Sequence, residues 1–165
     1  MIIQLELKEK LHYNPITGIC VWKIKPNKNT PIGSNVGNIS FGYIETQIKY
    51  KRYRLHRLIF LYMSGVYPAD NVQVDHINHI RNDNRWCNLR LVTHQNNSKN
   101  MRLSLANTSG CCGVYWSKYH NRWKSRIKVN KKDLYLGVFK NKTDAIIARK
   151  MAEYEHGFHP NHGIK

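Results

Sequence analysis

Acidic residues are scarce in this chain. Its 165 residues carry 10 Asp and Glu against 27 Lys and Arg, a formal net charge of +17. That imbalance argues against a merely solubilising surface, which would mix both signs. Long apolar runs are missing too, and nothing approaches the length of a membrane span. The N-terminus shows no signal-peptide pattern, so we expect a soluble, unprocessed, cytoplasmic chain. The four cysteines, Cys20, Cys87, Cys111 and Cys112, form no C-x-x-C pair. This disfavours a structural zinc site, and reduced thiols are the expected state.

What is present is enough for a packed core. Hydrophobic residues make up 41% and charged residues 22% of the chain, which excludes wholesale disorder. The positive charge is spread along the chain, with 13 basic and 6 acidic residues in 1–97 and 14 and 4 in 98–165. A one-signed field of this size favours a polyanion, most simply nucleic acid. No basic amphipathic helix dominates, which places an anionic membrane surface well behind.

The pattern changes character along the chain. Residues 12–54 read as short strands and turns. "NPITG" (14–18) is turn chemistry before the strand "ICVW" (19–22), "PNKNTPIGSNVGN" (26–38) is a loop, and "YIETQI" (43–48) alternates as a strand. "YRLHRLIFLYMSG" (53–65) has Leu55, Leu58, Ile59 and Tyr62 at helical spacing and stops at Gly65. "VQVDH" (72–76) and "LRLV" (89–92) read as strands, and Thr93 can cap a helix to about residue 102. A polar stretch, 104–110, is the expected linker between a first domain (1–103) and a second (111–165).

In the second part "WKSRIKV" (123–129) alternates cleanly. Trp123, Ser125, Ile127 and Val129 share one face, and Lys124, Arg126 and Lys128 share the other. With "GVYW" (113–116), the turn "NKKD" (130–133) and "LYLGVF" (134–139), this predicts a three-stranded sheet. Thr143 is the expected cap of a helix over 144–157, with Ala145, Ala148 and Ala152 in one stripe beside Ile147, Met151 and Tyr154. The open face of the sheet is basic and aromatic. Tyr115, Trp116, Lys118 and Arg122 extend it, charge suits phosphates, and arginine and aromatic groups suit bases.

The densest chemistry is in "VDHINHIRNDNRWCNLRLVTHQNN" (74–97). Cleaving a phosphodiester requires a base for the attacking water, and a neutral imidazole suits that. It also requires a cation for the developing charge, and a hard divalent ion with oxygen ligands suits that. Asp75 and Asn97 can supply an anionic and a neutral oxygen. On a strand, Asp75 and His76 point to opposite sides, so one residue pair can serve metal and water separately.

This stretch resembles the motif of the HNH endonucleases, in their phage and intron-encoded homing branch. The upstream "YNPITG", "LHRLIF" and "YP" resemble that family's lead-in. The resemblance implies an α+β chain with a ββα-metal nuclease domain after a β-rich lead-in. It implies His76 as general base, Asp75 and Asn97 as ligands of Mg²⁺ or Mn²⁺, and Asn88 as a brace of the loop. His94 competes with Asn97 for the second ligand. His56 reads as a packing or helix-start residue.

Residues 109–157 resemble the AP2 DNA-binding domain through "SG…GV", "RW…RI", "LGVF" and "DAIIARKMA". That implies a sheet laid in the major groove of duplex DNA. Together the two resemblances predict a homing-type, metal-dependent DNA endonuclease with a C-terminal targeting module. If phage-encoded, it would work in the cytoplasm of a bacterial host. One site per chain favours a nicking monomer, whereas a dimer could cut both strands. The rival readings are a non-catalytic DNA-binding protein with a degenerate nuclease domain, and an RNA-binding protein.

Overall fold

The structure is a computed structural model and describes residues 2–93 and 97–164. The chain divides into two compact units, Met1–His94 and Gln95–Lys165. The division falls before the expected linker because Lys99–Leu103 belongs by its hydrogen bonds with the C-terminal tail. His159 N–H donates to Lys99 O (3.1 Å), Gly163 N–H to Met101 O (2.9 Å) and Leu103 N–H to Ile164 O (3.1 Å).

The first unit opens with a helix that the lead-in pattern had not announced, α1 (Gln4–Lys10). The hairpin of β1 (Leu11–Tyr13) and β2 (Cys20–Trp22) follows. Then come β3 (Asn38–Ser40), β4 (Tyr43–Ile48) and β5 (Lys51–Arg54), an antiparallel sheet in that order. Helix α2 (Leu55–Ser64) ends as its glycine dictates, with Gly65 at φ 79°. It starts two residues later than its apolar spacing predicts, because residues 53–54 finish β5. Leu55, Leu58 and Ile59 of α2 are each 1% exposed and pack with Leu7, Leu11, Trp22, Val74 and Leu89 into one core.

The ribbon of β6 (Val72–His76) and β7 (Leu89–Thr93) is antiparallel, and one turn of 3-10 helix (Trp86–Asn88) leads into β7. The helix expected from Thr93 to about residue 102 falls partly outside the described residues. Within them, residues 97–98 are helical and 99–100 form a turn.

The second unit is the predicted sheet and helix. β8 (Val114–Ser117), β9 (Arg122–Val129) and β10 (Lys132–Phe139) form an antiparallel sheet with β9 central, and α3 (Lys142–Glu155) packs on it. Asn130 and Lys131 make the β9–β10 turn at φ 50° and 66°. Three local expectations are corrected. The α3 cap position is Asn141, with no side-chain cap bond, so Thr143 lies inside the helix. The face of α3 toward the sheet buries Ala145 and Ala152 together with a charged pair, Arg149 and Glu153, while Ile147, Met151 and Tyr154 are exposed. The pair is tolerated because Arg149 Nε donates to Glu153 (2.8 Å) and the same guanidinium caps the Arg126 carbonyl. The third is Trp116, which lies on the helix side of the sheet with Trp123.

Candidate active site and nucleic-acid interface

In the first unit β6 delivers Asp75 and His76 to opposite sides of the ribbon. His76 lies on the core side with Val74, at 4% exposure, and Asp75 is half-buried on the other. Register sets Asp75 opposite Arg90, whose Nε and Nη2 donate to Asp75 Oδ2 at 3.0 and 2.9 Å.

The His76 ring is held on several sides. Its Nε2 lies 3.1 Å from Asn84 Oδ1, and with Nε2 donating there, Nδ1 keeps its lone pair. The His56 ring meets it edge-on at 5.1 Å, and Tyr43 lies at 6.0 Å. Burial lowers the His76 pKa below the ordinary histidine value, although the Asn84 bond opposes the shift. The imidazole is therefore neutral at pH 7, the form a base requires.

The abundance of asparagine has a structural answer. The loop 77–88 has no regular backbone ladder, so its polar groups are met by short amide side chains. Asn88 Oδ1 accepts from Asn78 N–H (3.0 Å), and Asn88 Nδ2 donates to Asn78 Oδ1 (2.9 Å) and Asp83 O (2.8 Å). Asn78 Nδ2 donates to Asp83 Oδ2 (2.6 Å), and Arg85 Nε to Asp83 Oδ1 (2.8 Å). The Arg85 bond holds the Asp83 carboxyl down at about 2.

The "YNPITG" hairpin also braces this loop. Tyr13 O–H donates to Asn84 O (2.7 Å), and Trp86 N–H donates to Pro15 O (2.9 Å). Gly18, at φ 74°, lets the Arg85 backbone approach so closely that a Cβ there would lie 2.5 Å from Arg85 N.

Several residues around this site were not singled out by the sequence reading, among them Asn84 on the His76 ring and Arg90 on Asp75. Arg57 of α2 donates to Val72 O (3.1 Å) and Tyr67 Oη (3.3 Å), anchoring the turn into β6. His56, read as a packing residue, packs against His76 itself. It is 3% exposed, its Nδ1 has no partner among the described residues, and burial first of all pushes its pKa down to about 3. Helical spacing could place His56 on the buried face but not beside a residue twenty positions away.

The His56 shift has a measurable consequence. An unfolded histidine takes its proton near 6.5 and the folded one only near 3, so between these values acid favours the unfolded chain. This group alone should remove about 2 kcal/mol of stability between pH 7 and pH 5. Urea unfolding at both pH values should show the loss in the native chain and a smaller one in His56→Phe. Equal losses would mean that His56 is not held neutral.

Asn97 lies in the second unit, at the helical residues 97–98, and its carbonyl accepts from Asn100 N–H (3.0 Å). His94 lies outside the described residues. Also among the described residues, no group of three or more His, Cys, Asp or Glu side chains converges. At a metal held by Asp75, phosphate and water oxygens would fill further positions of the shell. The donor chemistry, one carboxylate and amide oxygens, fits a hard dication.

In the second unit the outer face of the sheet is built by register. Tyr115, Lys124 and Val138 lie side by side across the three strands, then Arg126 beside Tyr135 and Lys128 beside Asp133. The Arg126 guanidinium lies 5.6 Å from the Tyr115 ring. Arg122 starts β9 on this face, and exposed Lys118 is in the preceding turn. Trp116 is the exception. It pairs with Trp123 on the helix side, ring centroids 5.4 Å apart, because strand alternation sets it with buried Val114. It is thereby removed from the face carrying Lys124 and Arg126.

Residues 53–99, which include the β6–β7 ribbon and His76, match the family model described as HNH endonuclease. The chain is also 33% identical over 78 residues to Protein 3.8 of Escherichia phage T7, a match covering 47% of this chain and 64% of that protein. The chain thus spans a little under two thirds of the length of that phage relative. No solved structure matches it. None of the described helices is long and apolar enough to cross a membrane.

Proposed function

We propose that the chain is a metal-dependent DNA endonuclease of the homing type that hydrolyses phosphodiester bonds, with the second unit as its DNA-targeting module. The carrying observation is His76, a neutral buried imidazole at the end of a strand, beside a carboxylate, inside the segment that matches the HNH family model. In this reading His76 removes a proton from the water whose oxygen attacks phosphorus. Asn84 holds the ring through Nε2, and Asn88 braces the loop that carries Asn84. Asp75 and Asn97 would hold Mg²⁺ or Mn²⁺, with Asn97 assigned by motif position alone. Bound there, the cation would stabilise charge on the phosphate and the leaving oxygen. The second unit, AP2-like in its sequence pattern, would bind duplex DNA through Tyr115, Lys118, Arg122, Lys124, Arg126 and Lys128.

The test is purified protein with supercoiled plasmid and Mg²⁺, with and without EDTA. Nicked or linear product that EDTA suppresses supports the reading. Duplex binding without cleavage in Mg²⁺ or Mn²⁺ would favour a non-catalytic DNA-binding protein, and preferential RNA binding would favour the RNA reading.

Asp75→Asn tests the metal assignment. It keeps the shape, removes the carboxylate and leaves Arg90 without its ionic partner. Cleavage should fall, the Mg²⁺ requirement should move to higher concentration, and Mn²⁺ should restore part of the rate. An unchanged metal titration would remove Asp75 from the ligand set.

A further inference from the structure

Beside His76 the first unit gathers two cations on one aromatic ring. The Arg54 guanidinium lies 4.5 Å and that of Arg81 lies 5.0 Å from the centroid of Tyr43, and the Tyr43 ring is itself 6.0 Å from that of His76. Two like charges sharing one ring repel, and stacking each on an aromatic face offsets only part of this. Their carboxylate support is thin. Arg54 has Glu45 at 3.7 Å, a long contact on a half-exposed side chain. Among the described residues Arg81 has no carboxylate partner, and its one hydrogen bond there is from Nη1 to Phe41 O (3.1 Å).

Arg81 is nonetheless held in place. Its stem passes over Gly42, where a Cβ would stand 3.4 Å from Arg81 Cδ. Phe41 takes one N–H, and Tyr43 takes a face of the guanidinium. Most of the five N–H donors of this exposed group remain available. A fixed guanidinium with spare donors, on the same tyrosine ring that lies against the His76 imidazole, is chemically suited to an anion reached by the water that the imidazole activates.

We propose that Arg81, backed by Arg54 and aligned by Tyr43, is the phosphate-holding residue of the first unit. It would donate to a non-bridging oxygen of the scissile DNA phosphodiester and stabilise the negative charge that grows there as water attacks. This inference rests on the endonuclease reading. It adds a residue that touches the substrate and is neither a metal ligand nor the base.

The test uses the full chain with Arg81→Met, which keeps the stem over Gly42 and removes the guanidinium. Two duplexes carry the cleaved linkage, one with a normal phosphodiester and one with a neutral methylphosphonate at that position. Binding is measured in EDTA and cleavage of the normal duplex in Mg²⁺. Arg81→Met should slow cleavage by about 10²–10³-fold, the range for losing one donor to developing charge. In binding, the substitution and the methylphosphonate should each weaken the complex, and their combination should weaken it no more than either alone. Arg81→Lys should recover part of the rate, since a lysine restores the charge without the planar fork.

Additive losses would show that Arg81 does not touch that phosphate and overturn the inference, as would cleavage by Arg81→Met at the native rate. Failure of the native protein to cleave would overturn the endonuclease reading, and this assignment with it. Cleavage by the native protein with additive binding losses would overturn only the role of Arg81.

Discussion

His76→Ala should slow DNA cleavage by about 10²–10⁴-fold, the usual cost of losing a general base, while duplex affinity stays close to native. The side chain is 4% exposed, so it offers little surface for binding, and its contribution belongs to the chemical step. The substitution also empties space beside His56 and Asn84, and truncating a buried ring costs stability as well as chemistry. His76→Gln fills more of that space and keeps an amide near Asn84. Both variants should melt as cooperative units and bind duplex, and both should be nearly inert as nucleases. Cleavage at the native rate by either would exclude His76 as the base.

Removing the charge on the sheet face should have the second largest effect. Lys124, Arg126 and Lys128 alternate with Ser125 and Ile127, both fully buried at 0% exposure, so the three cations project from one face and the fold does not depend on them. Replacing all three with alanine should reduce the slope of log affinity against log salt by about 0.9 for each phosphate no longer neutralised, and lower affinity about 10²-fold near physiological salt. Selectivity among sites should fall with it. Melting should change little, because Arg126 is pinned through its backbone, its N–H donating to Gly113 O (3.0 Å) and its carbonyl held by Arg149. An unchanged salt slope would mean that this face is not the DNA-binding surface. Trp116→Ala is a useful contrast. Its ring packs with Trp123, so it should act on the stability of the second unit more than on the salt slope.

Local pattern accounts for much of this molecule. Period-two alternation over 123–129 determines the two faces of the central strand, because successive side chains must point to opposite sides of a pleated backbone. The same rule separates Asp75 from His76. Gly65 and Gly157 stop helices where a left-handed residue is needed, with φ 79° and 64°. The excess of lysine and arginine fixes the sign of the field whatever the fold. These properties depend on neighbours in sequence, so the sequence alone determines them.

Other properties depend on neighbours in space, and only the tertiary structure decides them. His56 and His76 are twenty residues apart, and their edge-on contact arises because α2 packs under the β6–β7 ribbon. The asparagines of 77–88 announce a loop, but which amide meets which backbone group depends on how that loop closes over Asn88. The buried Arg149–Glu153 pair looks in sequence like two exposed charges on a helix, and becomes part of the interior because the carbonyl of Arg126 needs a donor there. Arg81 gives no periodic signal at all. Its place beside Tyr43 and His76 depends on a turn forty residues earlier presenting the Phe41 carbonyl and an open glycine. Periodicity is a statement about a single element, whereas a site is a meeting of several, and the packing of one core determines which side chains meet.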